Sequence, residues 1–262
     1  MSSFIKRYYG VRPVYAEAFA GGFGLGIQLL LNEDVEHVLI NDLDPCIYSF
    51  WKAILTPRCH QRFVRMLREV TIDLDTWHMQ KEIFKHHYNY SVVQVGFATF
   101  FLNRCNRSGI LMANPIGGIH QDGTYKMDCR FNKPRLEELI GLLYSYRNRI
   151  TVSNEDAVDF MRSADRSYNN LLFNFDPPYV NAGPFLYKNN YDKEDHIALS
   201  KEIQKLKNRW ILTYDTDRLI KKHYQSQIIR PYRFRYSLEQ KRAATELIVY
   251  DRRFKDPPKL IL

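Results

Sequence analysis

Val14 to Leu31 reads VYAEAFAGGFGLGIQLLL, and this stretch sets the architecture. Val14–Phe19 has the apolar content of a short buried strand. It runs into a glycine turn, Ala20–Gly26, and then into Ile27–Leu31, an apolar segment suited to a helix. Strand, glycine turn and helix open a βα unit. Glycines let a ligand come close to the backbone, and the helix N-terminus beyond them carries partial positive charge. The turn departs from G-x-G-x-x-G, because Ile27 stands where the third glycine would fall. That counts against a dinucleotide site.

Working outward, Glu36–Ile40 (EHVLI) is a second strand, ended by Asn41-Asp42. A carboxylate at that point accepts from the two hydroxyls of a ribose in this kind of fold; equally, Asp42 serves as a helix N-cap, since Asp44-Pro45 follows. From about Ile47 to Asn106 the apolar spacing is helical and rich in Arg, Lys and His. A Gly-, Asn-, Pro- and Asp-rich loop spans Cys105–Lys133, and a helix covers about Pro134–Arg147. The alternation then resumes. Strands are expected at Arg149–Ser153, Leu171–Phe175 and Trp210–Tyr214. Helices are expected from Asp156, over Lys193–Lys207 and over Thr216–His223, and Gln227–Tyr236 pairs with Thr245–Asp251 at the end. The pattern is a doubly wound α/β fold interrupted by an insert. Residues 1–50 and 148–262 form one domain, and 51–147 a helical insert too long for a simple crossover.

The most specific signal follows the strand LLFNF: Asp176-Pro177-Pro178-Tyr179. The lone pair of an aromatic amino group is delocalised into its ring, so alkylating that nitrogen requires drawing the pair out of conjugation. Two acceptors aimed at the two amino hydrogens do this. The Asp176 carboxylate is one and the Pro177 carbonyl the other, while the prolines fix φ. Tyr179 can stack on a base. A Pro-rich turn is the plain alternative, and Asp256-Pro257-Pro258, with no Tyr and no strand before it, is read as one.

Composition sets the outer bounds. Of 262 residues 45% are hydrophobic, enough for a sizeable core. Lys+Arg is 38 against 29 Asp+Glu, a charge of +9 that suits a polyanion. Cys46, Cys59, Cys105 and Cys129 form no CxxC pair and His86-His87 are adjacent, so reduced thiols and no metal site are expected. No apolar run reaches the ~18 residues of a membrane span. The opening MSSFIKRYYG lacks the apolar middle of a signal peptide, and a cytoplasmic protein with no membrane partner is expected.

Glycine turn, acidic strand end, helical insert and Asp-Pro-Pro-Tyr, in that order, resemble the Dam-like (D12 class) adenine-N6 DNA methyltransferases. Asn103-Arg104, Ser108-Gly109-Ile110 and Asn114–Gly118 resemble the family's insert. Trp210–Asp215 resembles the strand and turn after the catalytic motif, and Tyr236–Tyr250 the closing hairpin. The resemblance implies a Rossmann-like methyltransferase fold with an inserted DNA-recognition subdomain. It also implies S-adenosylmethionine (AdoMet) as methyl donor and an adenine flipped from double-stranded DNA. Carried over by position, Phe19, Ala20, Gly21, Gly22 and Gly24 line the methionine part of AdoMet and Asp42 holds its ribose. Asp156 and Ala157 meet its adenine, with a helix N-cap the equal alternative for Asp156. Asp176 to Tyr179 hold the target base. For DNA, Asn103, Arg104, Asn106, Arg107, Lys126 and Arg130 in the insert and Lys241-Arg242 in the terminal turn are the candidates.

One departure stands out. The family carries a Gly-Lys segment some 20 or more residues before the glycine turn, and Met1–Tyr15 shows none. It motivates an alternative, a catalytically impaired DNA-binding module on the same scaffold. An RNA adenine methyltransferase and a protein glutamine methyltransferase are further rivals; the helical insert argues against the first and Asp rather than Asn at 176 against the second. Recognition site, oligomeric state and any restriction or defence partner are not legible.

Overall fold

In the computed structural model, which describes residues 1–180, 191–235 and 243–258, seven strands join one sheet. They are β1 (Val14–Glu17), β2 (His37–Asn41), β3 (Ile150–Ser153), β4 (Leu171–Phe175), β5 (Arg209–Asp215), β6 (Ile228–Arg235) and β7 (Ala243–Tyr250). The order across the sheet is β3-β2-β1-β4-β5-β7-β6. The first five run parallel, with Ala16 paired to Leu39 on one side and Phe173 on the other. β7 enters antiparallel beside β5, and β6 closes the edge as its hairpin partner. The order reverses between β1 and β4, which is where an open α/β sheet leaves a crevice at its strand carboxyl ends.

The described helices are α1 (Ser2–Tyr8), α2 (Gly24–Leu31), α3 (Pro45–Leu55), α4 (Pro57–Glu69), α5 (Leu74–Lys85), α6 (Val92–Cys105), α7 (Lys133–Ser145), α8 (Ala157–Ser167), α9 (Lys193–Ile203) and α10 (Arg218–His223). The chain divides into two compact units, Met1–Asp44 with Arg149–Leu262, and Pro45–Asn148.

In the first unit β1, β2, β4 and β5 are buried on both faces, so they read as largely continuous apolar runs rather than alternating ones, whereas the edge strand β3 buries only Ile150. Val14, Ala16 and Ala18 join Phe173, Phe175, Trp210 and Leu212 in one cluster with Phe160 and Met161 of α8 and Leu199 and Ile203 of α9. α1 has no side-chain cap at its N-terminus, Met1. Packing holds it instead, with Phe4 against Tyr250 and Phe254.

The long helical stretch of the second unit breaks where local chemistry dictates. Pro57 occupies the first turn of α4, Asp73 accepts the Thr76 N–H ahead of α5, and Ser91 and Gln94 form a capping box for α6. No helix among the described residues is long and apolar enough to cross a membrane, and none of their His, Cys, Asp and Glu residues cluster as a metal site.

Two glycines of the second unit predict opposite effects of one substitution. A Cβ at Gly96 in α6 would lie 2.4 Å from the Ser49 carbonyl oxygen of α3, whereas one at Gly141 in α7 would meet nothing within 4 Å. Gly96→Ala is expected to destabilise by ~1–3 kcal/mol through overpacking. Gly141→Ala is expected to stabilise by ~0.5–1 kcal/mol through backbone entropy. Urea midpoints of the two variants give the comparison.

Candidate active site

The first half of the candidate site, in the first unit, is built by loops. β1 leads through Phe19 into the glycine turn, where Gly21 (φ +49°) and Phe23 (φ +48°) are left-handed. The Phe23 ring is buried and fills the space a Cβ at Gly26 would need, at 2.2 Å. Cβ atoms at Gly21, Gly22 and Gly24 would meet nothing within 4 Å. The glycines therefore divide: Gly26 makes room for an inward ring, and the other three border open space.

Asp42, half-buried after β2, spans that turn. Its Oδ2 accepts the Gly21 N–H (2.8 Å) and its Oδ1 the Asp44 N–H (2.9 Å). Burial raises its pKa, and the two amide bonds pull it back down. Asp42 thus caps its own turn and ties down the glycine loop, while each carboxylate oxygen keeps lone-pair capacity for a further donor.

Asn41 beside it is fully buried. Its amide donates to the carbonyls of Ala18 (3.1 Å) and Glu155 (3.0 Å) and accepts from Ser153 Oγ and the Glu155 N–H (both 3.0 Å). One side chain thereby joins the ends of β1, β2 and β3. Beyond β3, exposed Asp156 caps α8 through the Val158 N–H (2.8 Å), and Ala157 is buried. Tyr191 sits edge-on to Phe19, ring centroids 5.9 Å apart. Its phenol is pushed up to about 12, first by burial and then by the Asp156 and Asp195 carboxylates.

The second half of the site starts where β4 ends. Asp176 reaches solvent, yet the protein around it raises its pKa above the ordinary carboxylate value; hydrogen bonds with Thr213 and Tyr179 oppose that rise. The Thr213 hydroxyl donates to Asp176 Oδ1 at 2.7 Å. Pro177 and Pro178 are buried, and the Val180 N–H reaches Asp215 Oδ1 (3.3 Å) at the end of β5. On β1, buried Glu17 accepts from the Tyr15 hydroxyl (2.6 Å). Burial, opposed by that bond, lifts its carboxyl to about 8. His196 of α9, also buried, shares a 2.6 Å bond with the Tyr214 hydroxyl, whose ring lies 6.4 Å from that of Tyr179.

A model of the D12 class N6 adenine-specific DNA methyltransferase family matches residues 2–243. The chain belongs to this family. It is a DNA adenine-N6 methyltransferase of the AdoMet-dependent kind. The curated type II methyltransferase M.CviBI from Paramecium bursaria Chlorella virus NC1A is 22% identical over 254 residues, covering 93% of this chain and 91% of the relative. Among solved structures, an rRNA methyltransferase, aviRa, from Streptomyces viridochromogenes is 12% identical across 97% of this chain and 82% of its own, with a TM-score of 0.38. A SAM-dependent methyltransferase from Agrobacterium tumefaciens is 12% identical across 96% and 60%, also at 0.38. At those scores neither carries an argument about this site.

Within the first unit of the methyltransferase, Phe19, Ala20, Gly21, Gly22, Gly24, Asp42, Asp156, Ala157 and Asp176–Tyr179 all lie just beyond strand carboxyl ends. Asn41, Glu17, Tyr191 and His196 join them without a motif of their own, and Thr213 joins them from the Trp210–Asp215 stretch. In the helical unit, the Arg104 guanidinium donates to the Arg130 carbonyl, and Arg130 donates to the carbonyls of Asn103, Arg104 and Asn106. Asn106 is fully buried: it accepts from Trp77 Nε1 (2.7 Å) and donates to the Ile110 and Leu111 carbonyls. It holds the loop from inside. Asn103, Arg107 and Lys126 are exposed; Asn103 also donates to the Gly109 carbonyl and Lys126 to that of Gln121. Lys241 and Arg242 fall outside the described residues.

Thr213→Val removes a hydrogen bond to the ionised form of Asp176. The Asp176 pKa then rises further. On the expectation that Asp176 works as the carboxylate, the acid limb of the kcat/KM–pH profile moves to higher pH and activity on that limb falls, a bond to a charged group contributing ~1.5–3 kcal/mol. An unmoved acid limb contradicts the link between Asp176 and catalysis.

Proposed function

We propose that Asp176 and the Pro177 carbonyl grip the N6 amino group of an adenine turned out of the DNA duplex. The supporting observation is the local geometry at the end of β4: a carboxylate fixed by Thr213, followed by two buried prolines that fix the carbonyl beside it. AdoMet, when bound, supplies a sulfonium methyl group to the attacking nitrogen.

The protein's part is orientation and charge. Asp176 and Pro177 accept the two amino hydrogens and so localise the nitrogen lone pair towards the methyl. As positive charge develops on nitrogen, the preorganised carboxylate stabilises it. Asp176 then takes the proton that the nitrogen gives up, which its raised pKa favours. Tyr179 stacks on the base, and Pro178 keeps the tetrapeptide rigid. A flipped base costs unstacking energy, offset by contacts of this kind.

On the donor side the open space before Gly21, Gly22 and Gly24 fits the methionine end of AdoMet, with Phe19 and Ala20 beside it. Asp42 takes the ribose hydroxyls, and Asp156 with Ala157 takes the adenine. Double-stranded DNA is the substrate in this reading. Exposed Asn103, Arg107 and Lys126, with the outward parts of Arg104 and Arg130, contact it in the helical unit; Lys241 and Arg242 are further candidates.

Asp176→Ala is expected to lower methylation of unmethylated DNA by ~10²–10³-fold or more, while melting temperature and AdoMet affinity by calorimetry stay near wild type. Normal turnover by this variant refutes the assignment.

A further inference from the structure

The charge of the chain is unevenly placed. Pro45–Asn148 holds fourteen of the 38 Lys and Arg residues but only eight of the 29 Asp and Glu, and so carries six of the nine net positive charges. The loop after α6 accounts for part of that excess, yet Arg104 and Arg130 spend donors on backbone carbonyls there. A second basic run lies on a different element.

α4, PRCHQRFVRMLRE, contains Arg58, Arg62, Arg65 and Arg68 and one acid, Glu69. Its apolar side is fixed: Phe63 and Leu67 are fully buried, and Phe63 packs on Phe50, Phe97 and Phe100. The opposite side is therefore set. Arg58, Arg62 and Arg65 recur at i, i+4 and i+7 and share one face, and all three are exposed. Arg68 pairs with Glu137 of α7. The other three make no hydrogen bond or ion pair among the described residues. Glu69 lies at the end of the same face.

Like charges at these spacings repel along a helix. A polyanion laid on the face turns that repulsion into attraction and releases its condensed counterions. The three arginines span about 10 Å of helix axis at ~1.5 Å per residue. That matches roughly three phosphates of one strand at ~3.4 Å of duplex axis each.

We propose that Arg58, Arg62 and Arg65 form a phosphate-binding stripe that grips the backbone of the DNA substrate, independently of the loop after α6. The proposal rests on DNA being the substrate. The stripe reads no bases, because phosphate contacts position a protein on the duplex without carrying sequence information.

The test uses the full chain and a mixed-sequence duplex followed by fluorescence anisotropy between 50 and 200 mM KCl. Arg58→Gln, Arg62→Gln and Arg65→Gln are combined, Gln being nearly as good a helix former as Arg. The slope of log affinity against log salt is expected to become shallower by about 2–3, following ~0.9 per phosphate contact. Affinity at 50 mM is expected to fall at least ten-fold, with AdoMet affinity unchanged and methylation at saturating DNA retained. Glu69→Lys, which adds a charge to the same face, is expected to steepen the slope by about 1, and keeps the test decisive if the triple variant melts early. A triple variant that binds like a salt-sensitive wild type overturns the stripe alone. A wild type that binds no duplex overturns the substrate reading and the stripe with it.

Discussion

One buried amide, that of Asn41, sets the geometry of the loops to which the proposed reading assigns the cofactor. Its four hydrogen bonds join the ends of three adjacent parallel strands. Those ends carry Phe19 and the glycine turn, Asp42, and Asp156. A buried amide with every donor and acceptor satisfied is rigid, because each alternative conformation strands a polar atom without water. The loops beyond it inherit that rigidity. The glycine turn is also pinned at Gly21 by Asp42, so the open space before Gly21, Gly22 and Gly24 is held in shape from two sides.

The sheet order supplies the rest of the frame. β1 and β4 are neighbours, although 153 residues separate Glu17 from Leu171 in sequence. Their adjacency brings the Asp176 carboxylate close enough to Glu17 to add to the burial that makes Glu17 hard to ionise. β5 then supplies Thr213, whose hydroxyl favours the charged form of Asp176. In the proposed reading, donor side and acceptor side of the reaction share one sheet edge.

Much of this was legible in the sequence because it is local. Apolar runs ended by Gly or Asp mark β1, β2 and β4, and Asp176-Pro177-Pro178-Tyr179 fixes its own backbone through the prolines. The glycine turn announces itself, although nothing in the sequence says that Phe23 adopts a left-handed conformation and that Gly26 exists to admit its ring. What was not legible depends on partners far along the chain. Asn41 looks like any polar residue at a strand end until Ser153 and Glu155 arrive beside it. Thr213 is one threonine in a strand until it meets Asp176. α1 has no side-chain cap and is held by packing Phe4 on Tyr250 and Phe254. In the insert, residue type alone could not separate Asn106, buried with both ends of its amide engaged, from exposed Arg107 next to it.

The central claim is that the arrangement at the end of β4 acts on an exocyclic adenine nitrogen. Its most direct measurement is the chemical identity of the product. Unmethylated duplex DNA is incubated with the protein and AdoMet carrying a labelled methyl group, digested to nucleosides and resolved by mass spectrometry. The account predicts label in N6-methyladenine alone. Label in a methylated cytosine, or none in any nucleoside while the protein binds both AdoMet and DNA, contradicts it.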